Sequence, residues 1–393
     1  MNPIKRWTED AKKQPDVRHV DTCDGVRALA IMIVVWYHIW QQSWLYPTIQ
    51  LFGKSISFDP LVRSGYIWVD IMILISGFCL YLPWARLAPG EKGQSPLAFY
   101  RRRLIRIHPS YLLTLAIMLG VALATHAYGN NHAFMAADLV THLTYTQMFT
   151  YKTYFATNLG GALWTLALEM QLYALFPLFA RAFKRLPLVT LAAMTGFSLA
   201  FRAYVASRYP DVSLYFNQLP AYLDTFALGM AAAAVHVRLS RTPHNAWTRI
   251  LCSLLSVAAV CLLWNVVRAQ AGCATTEAIR LGQMNRRMAM GLLGAVLLTA
   301  SANAGWLVRH IFANPLTRFI SAISLHLYIW HQTIAVWLLK SRLIPSAFEN
   351  PNYSGDTVWQ GWFTLACFAI SIAAATLLTY GFERPVAKRL GKK

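Results

Sequence analysis

The chain has 393 residues, 56% of them hydrophobic and only 13% charged, with a mean hydropathy of +0.40. A soluble domain carries about 25% charged residues, so the composition excludes an ordinary soluble fold in favour of a polytopic membrane protein. The net charge is +20, but the basic residues fall between apolar runs, which makes them signals of orientation rather than contacts to nucleic acid.

Residues 1–20, MNPIKRWTEDAKKQPDVRHV, are polar and basic. They lack the short apolar core and small-residue cleavage site of a signal peptide, so the first apolar run is expected to stay as an anchor. A spanning helix needs about 20 mostly apolar residues. Ten runs are predicted to be such helices: 26–43, 67–84, 110–127, 162–180, 188–206, 219–237, 250–267, 288–305, 319–339 and 361–382. The stretch 134–150 is apolar but short and rich in Thr and Tyr, which places it at the outer interface. With the N-terminus inside, the inner segments carry 24 Lys and Arg and the outer loops 10. That asymmetry predicts an all-α bundle of about ten transmembrane helices with both termini cytoplasmic. The exception is the outer 268–287 loop, with four Arg. The predicted organisation is a cytoplasmic tail (1–25), a membrane domain (26–385) and a basic cytoplasmic tail (386–393). Six Cys (23, 79, 252, 261, 273, 367) form no CxxC and no metal spacing, so neither a disulfide framework nor a metal site is expected.

The first span, within DGVRALAIMIVVWYHIW (24–40), carries Arg27 and His38. Eleven helical steps make three turns plus about 20°, so both side chains share one face about 16 Å apart along the axis. Taken singly, Arg27 reads as a snorkelling end residue and His38 as a hydrogen-bonded core or interfacial histidine. Together they describe a cation at the inner mouth and a titratable base further along one stripe, the arrangement that a path across the membrane needs. Histidine is the natural general base for a hydroxyl nucleophile. Intramembrane carboxylates are costly unless they are paired or line a cavity, and the sequence has Asp70, Glu169, Asp224 and Glu383. Tyr173, four residues after Glu169, falls on the same helix face. Just before the third span, FYRRRLIRIHPSY (99–111) gathers Arg101, Arg102, Arg103 and Arg106. They read either as a positive-inside anchor touching anionic lipid or as a phosphate-binding patch for a donor such as coenzyme A. Pro109 reads as a helix start.

In this order the segments resemble the acyltransferase-three family of bacterial membrane O-acyltransferases. Arg27 to His38 is similar to its Arg-(ten residues)-His signature. WVDIMILISGF (68–78) is similar to its GVDLFFVLSGF segment, FYRRRLIRIHPSY to its F-x-RRR-x-x-RI-x-P-x-Y, and LWTLALEMQLYALFP to its WSLxVExQFYLLxP. Ser324 to His331 resembles its SYSLYLWH, and FERPVAKRL its closing E-x-P. The matches cover nearly the whole chain. The departures are Met72–Ile73, Met170, Leu325 and Thr333, which bear on the shape of the acceptor pocket.

The resemblance implies a multi-pass protein of the bacterial inner membrane that moves an acyl group, by default acetyl, from cytoplasmic acetyl-CoA to a hydroxyl. The acceptor would be a cell-envelope sugar, polysaccharide or lipid-linked sugar at the outer face, with glycan-assembly proteins as partners and no metal. By the same resemblance His38 would be base or transient acyl carrier, Arg27 would position the donor, and Arg101, Arg102, Arg103 and Arg106 would hold its phosphates. Glu169 would polarise His38 or the acceptor, with Asp70, Tyr173, His331 and Glu383 in support. Plainer readings make Asp70 an interfacial residue, Glu383 a partner of inner-surface Arg, and His331 one end of an interhelical hydrogen bond. The rival function is a multi-pass exporter without acyl-transfer chemistry, although paired Gly/Pro-broken spans in two halves are not evident. A non-catalytic scaffold is a weaker rival, and no G-x-S-x-G points to a serine hydrolase.

Overall fold

A computed structural model describes residues 20–88, 91, 93–241 and 245–391. Most of the expected N-terminal tail lies outside these residues. Among the described residues the helices of eight or more residues are α1 (Asp21–Ser43), α2 (Val69–Ala85), α3 (Pro96–Ala124), α4 (His132–Leu143), α5 (Trp164–Arg185) and α6 (Pro187–Arg208). They continue with α7 (Leu223–Ser240), α8 (Ala246–Ala271), α9 (Thr276–Asn303), α10 (Pro315–Ser341), α11 (Thr357–Leu378) and α12 (Arg384–Gly391). Each of the ten predicted spans falls on one of the long helices. Among the described residues eight segments are long and apolar enough to cross a membrane, so the protein is a polytopic helical membrane protein. Of the helices named above, α4, α7 and α9 lie outside that set. α7 and α9 are long, but they carry charged side chains that the bundle buries.

The helix ends follow local chemistry. α1 opens with Asp21 and Asp24 in its first turn, where the helix dipole favours negative charge. It stops at Trp44, whose left-handed backbone (φ 53°) aims its N–H at Trp40 O. α3 begins much earlier than the predicted third span. Ser95 Oγ accepts from Ala98 N, and Pro96 takes the first helical position, where its missing N–H costs nothing. Pro109 is therefore inside α3 rather than at its start, and the arginine cluster rides on the helix itself. A second difference concerns the outer arginines. α9 starts at Thr276, so Arg280, Arg286 and Arg287 are helical, and Arg287 is completely buried. The predicted basic tail is partly helical too, as α12. The 134–150 stretch forms α4, followed by short turns. A small exposed hairpin, Thr48–Leu51 paired with Lys54–Ser57, is the described sheet.

The core is organised by close helix pairs, α7 on α2 and α10 on α1. At the first of these the backbones nearly touch. A Cβ on Gly77 would collide with the carbonyl of Phe226, and one on Gly229 with the carbonyl of Leu74. Small residues permit this approach in membrane helices. Gly229→Ala is expected to destabilise the bundle by about 1–3 kcal/mol through overpacking, read as a lower melting midpoint in detergent. An unchanged midpoint would show that the α2–α7 crossing can yield.

The segment after α3 is tied down by Asp138, which is completely buried in α4. Its Oδ2 accepts from Tyr128 (2.8 Å), Thr157 (3.0 Å) and Asn158 N (3.2 Å). Burial pushes this carboxyl up, but hydrogen bonds from His142, Tyr128 and Thr157 outweigh it and hold the group below its ordinary value.

Candidate active site

Five helices enclose a cavity of about 120 Å³. α1 contributes Arg27, α2 contributes Ser76 and Cys79, α3 contributes Arg103 and Arg106, α5 contributes Glu169 and Tyr173, and α10 contributes Tyr328. Residues separated by up to 301 positions thus meet in one place. Arg103 and Arg106, three apart, share a helix face. Arg101 and Arg102 lie about 200° and 100° round the helix from Arg103; both are exposed and neither belongs to the cavity wall. Arg106 is exposed and also lines the cavity, so this end communicates with the surface.

Within the cavity Tyr173 donates to Glu169 Oε2 at 3.1 Å, the one-turn pairing expected from the sequence. The Arg103 guanidinium lies over the rings of Phe99 (5.6 Å) and Tyr173 (5.7 Å), which holds the fork against the wall. Arg27 donates to Cys79 Sγ at 3.3 Å, and Cys79 Sγ is 3.6 Å from Cys23 Sγ. The arrangement is a small, partly enclosed chamber with three guanidinium groups and one carboxyl group. It can hold an anionic group and stabilise a developing oxyanion.

His38 sits further along α1, outside that wall. Its Nδ1 is 3.0 Å from Gln41 Oε1, and the Gln41 amide nitrogen donates to Tyr37 O–H at 2.8 Å. With the amide nitrogen so engaged, Oε1 is the acceptor, Nδ1 carries the proton and Nε2 carries the lone pair. The ring centroids of His38 and His331 are 4.9 Å apart. His331 is completely buried, its Nδ1 is 3.0 Å from Leu327 O, and its Nε2 has no hydrogen-bond partner. His331 therefore is not one end of a side-chain bond between helices; it is a neighbour of His38. Tyr328 links the two regions, since it lines the cavity and its ring is 5.7 Å from that of His331. Glu169 is hydrogen-bonded to Tyr173, and the ring partner of His38 is Gln41, a residue that the sequence reading passed over.

Two supporting residues have other surroundings than expected. Asp70 is not at the surface of the bundle: it is completely buried, and Arg287 Nε donates to its Oδ1 at 3.1 Å. Arg287 also donates to Phe216 O (2.6 Å) and Ala221 O (3.2 Å), and its guanidinium lies 3.6 Å from the Tyr222 ring centre. Beside this pair, Arg202 donates to Asp224 Oδ2 at 2.5 Å and to the same Ala221 O at 3.2 Å. Glu383 faces His326 (3.5 Å) rather than an arginine, while Arg384 stacks on Tyr380 at 4.2 Å. The signal for the missed Arg287 was the carboxylate itself, because a buried Asp requires a cation. No group of three or more His, Cys, Asp or Glu able to hold a metal ion occurs among the described residues.

Comparison with known proteins adds an independent observation. The family model described as "Acyltransferase domain" matches residues 21–381. A Staphylococcus aureus (strain COL) protein named "Putative O-acetyltransferase" is 22% identical over 360 residues, covering 84% of this chain and 52% of its own length. The chain thus spans about half the length of the S. aureus relatives it matches. "Acyltransferase MdmB" of Streptomyces mycarofaciens is 25% identical over 406 residues, covering 96% of this chain and 94% of its own. No solved structure matches.

Proposed function

This chain belongs to the acyltransferase-three family, and we propose that it is an inner-membrane O-acyltransferase moving acetyl from cytoplasmic acetyl-CoA to a hydroxyl of an envelope sugar or glycan. The observation that carries this reading is the placement of Arg27, Arg103, Arg106 and Glu169 around one cavity, with His38 one helix stripe further on. The donor enters at the arginine end. Arg103 and Arg106 take its phosphates, and Arg27 holds the pantetheine arm, whose thioester end extends past Tyr328 to His38. Glu169 and Tyr173 shape the chamber through which the arm passes. His38, with Nδ1 held by Gln41, presents Nε2 as base to the acceptor hydroxyl, and His331 keeps that imidazole in place from the facing helix. The hydroxyl oxygen attacks the thioester carbonyl, the C–S bond breaks, and the proton passes through His38 to the departing thiolate.

The test uses membranes containing the chain, matched membranes lacking it, and acetyl-CoA labelled in the acetyl group. Base-labile label in the envelope glycan fraction is expected only with the chain present. Equal label in both preparations would overturn the reading and favour the exporter, to be pursued by flux measurements.

The two faces of α3 give a sharper expectation. Arg103→Gln and Arg106→Gln should each raise the acetyl-CoA concentration for half-maximal rate about tenfold, the loss of one charge-assisted contact. Arg101→Gln and Arg102→Gln should stay within about twofold, since surface charges of this kind contribute little. Equal effects from all four would mean that the cluster acts only as a diffuse positive surface.

A further inference from the structure

The reading above leaves the acceptor without a site. A second cavity, of about 450 Å³, lies at the opposite end of α1 from Arg27. Tyr37 and Trp40 line it from α1, Trp44 from the cap of that helix, Tyr46 from just beyond and Tyr66 from the turn before α2. Tyr37 and Trp40, three apart, share a helix face, which Trp44 extends from the cap. Their rings make a continuous wall. Tyr37 stacks with Trp40 at 6.3 Å, Trp40 meets Trp44 at 5.1 Å and Tyr46 at 6.3 Å, and Tyr37 meets Tyr66 at 5.0 Å.

This wall is not simply greasy. Arg63 and Gln270 also line the cavity. The Arg63 guanidinium lies 6.0 Å from the Tyr46 ring centre. An acyl chain offers a guanidinium group nothing, whereas a sugar offers hydroxyl and ring oxygens. Apolar walls with a few placed polar groups, in a volume of roughly 300–1,000 Å³, are the usual make-up of a small-molecule site. The cavity also adjoins the proposed base, because the rings of Tyr37 and His38 are 4.8 Å apart.

We propose that this aromatic cleft is the acceptor site and holds a sugar ring of the glycan. The C–H faces of the sugar lie on Trp40, Trp44 and Tyr46, its oxygens face Arg63, and its reacting hydroxyl passes Tyr37 to reach His38. The proposal rests on the acyltransferase reading. It divides α1 into a donor end at Arg27, a base at His38 and an acceptor end at Trp44.

The experiment measures the initial rate of labelled acetyl transfer to the membranes' own glycan, across a range of acetyl-CoA concentrations. The variants are Trp44→Ala, Tyr46→Ala and Trp44→Phe, at equal abundance, with melting midpoints taken in detergent. Tyr46 is 51% exposed, so its truncation leaves folding intact and keeps the test decisive if Trp44→Ala melts early. The expected result is a maximal rate at least threefold lower for Tyr46→Ala and for Trp44→Ala, with unchanged half-saturation by acetyl-CoA. Trp44→Phe, which keeps a smaller ring, should fall between Trp44→Ala and wild type. Smaller losses for Tyr46→Ala and the folded Trp44 variants would overturn the acceptor site while leaving the acyltransferase standing. A change in acetyl-CoA half-saturation would also overturn it, by making the cleft part of the donor path. Absence of transfer by the wild-type chain would remove the acyltransferase reading and this proposal with it.

Discussion

His38→Ala should reduce acetyl transfer by at least 10²-fold, to the level of membranes lacking the chain, without changing the abundance or melting of the protein. General base catalysis alone contributes about 10²–10⁴-fold. The side chain is half-buried and its described hydrogen bond is to Gln41, on the same helix, so truncation removes a functional group and no tie between helices. Gln41→Ala should give a graded loss of about 10–100-fold, the scale seen when a partner that orients an imidazole is removed from a metal-binding histidine. The two together separate chemistry from position. If His38→Ala retains most of the transfer, the base assignment fails while the enzyme survives. If Gln41→Ala matches wild type while His38→Ala is dead, the imidazole is held by His331 and not by the amide.

The second large effect concerns folding. Arg287→Met leaves Asp70 buried without its cation, and breaking a buried pair in this way costs about 3–5 kcal/mol. Folded protein recovered from detergent should fall steeply, because a loss of that size is a large part of a typical folding free energy. Both side chains have zero exposure, so screening by solvent does not soften the effect. The double variant Asp70→Asn/Arg287→Met removes both charges and should recover part of the loss, with an interaction energy between the two changes. Recovery would show that the penalty is the unpaired charge. If the double variant is as unstable as Arg287→Met alone, the damage lies in the contacts that Arg287 makes with Phe216 O, Ala221 O and the Tyr222 ring.

These two cases mark how far the sequence could be read. His38 was legible because Arg27 and His38 lie on one helix, where a spacing of eleven converts directly into a shared face. The Glu169–Tyr173 bond was legible for the same reason. The Arg287 partner of Asp70 was not, since it lies 217 positions away and no local rule relates α2 to α9. Gln41 was within reach of the sequence, three residues from His38, but nothing in its composition distinguished an orienting amide from an ordinary polar residue at a helix end. The division of the arginine cluster could be seen only once α3 was known to begin at Pro96 rather than near Pro109.

By itself, then, the sequence determined that this protein is a bundle of long helices in a membrane and where they lie along the chain. The physical reason is that backbone groups in lipid must be satisfied within each segment, so hydropathy and length are enough to find it. It also determined which side chains of α1 and α5 share a helix face. The tertiary structure alone decided which helices surround which. It placed Arg103 and Arg106 rather than Arg101 and Arg102 in the cavity, set His331 against His38, paired Asp70 with Arg287, and gathered five aromatic rings into a cleft. Apart from the four local rings of that cleft, each of these is a contact between segments distant in sequence, selected by how side chains interlock across helices rather than by any preference of the residues themselves.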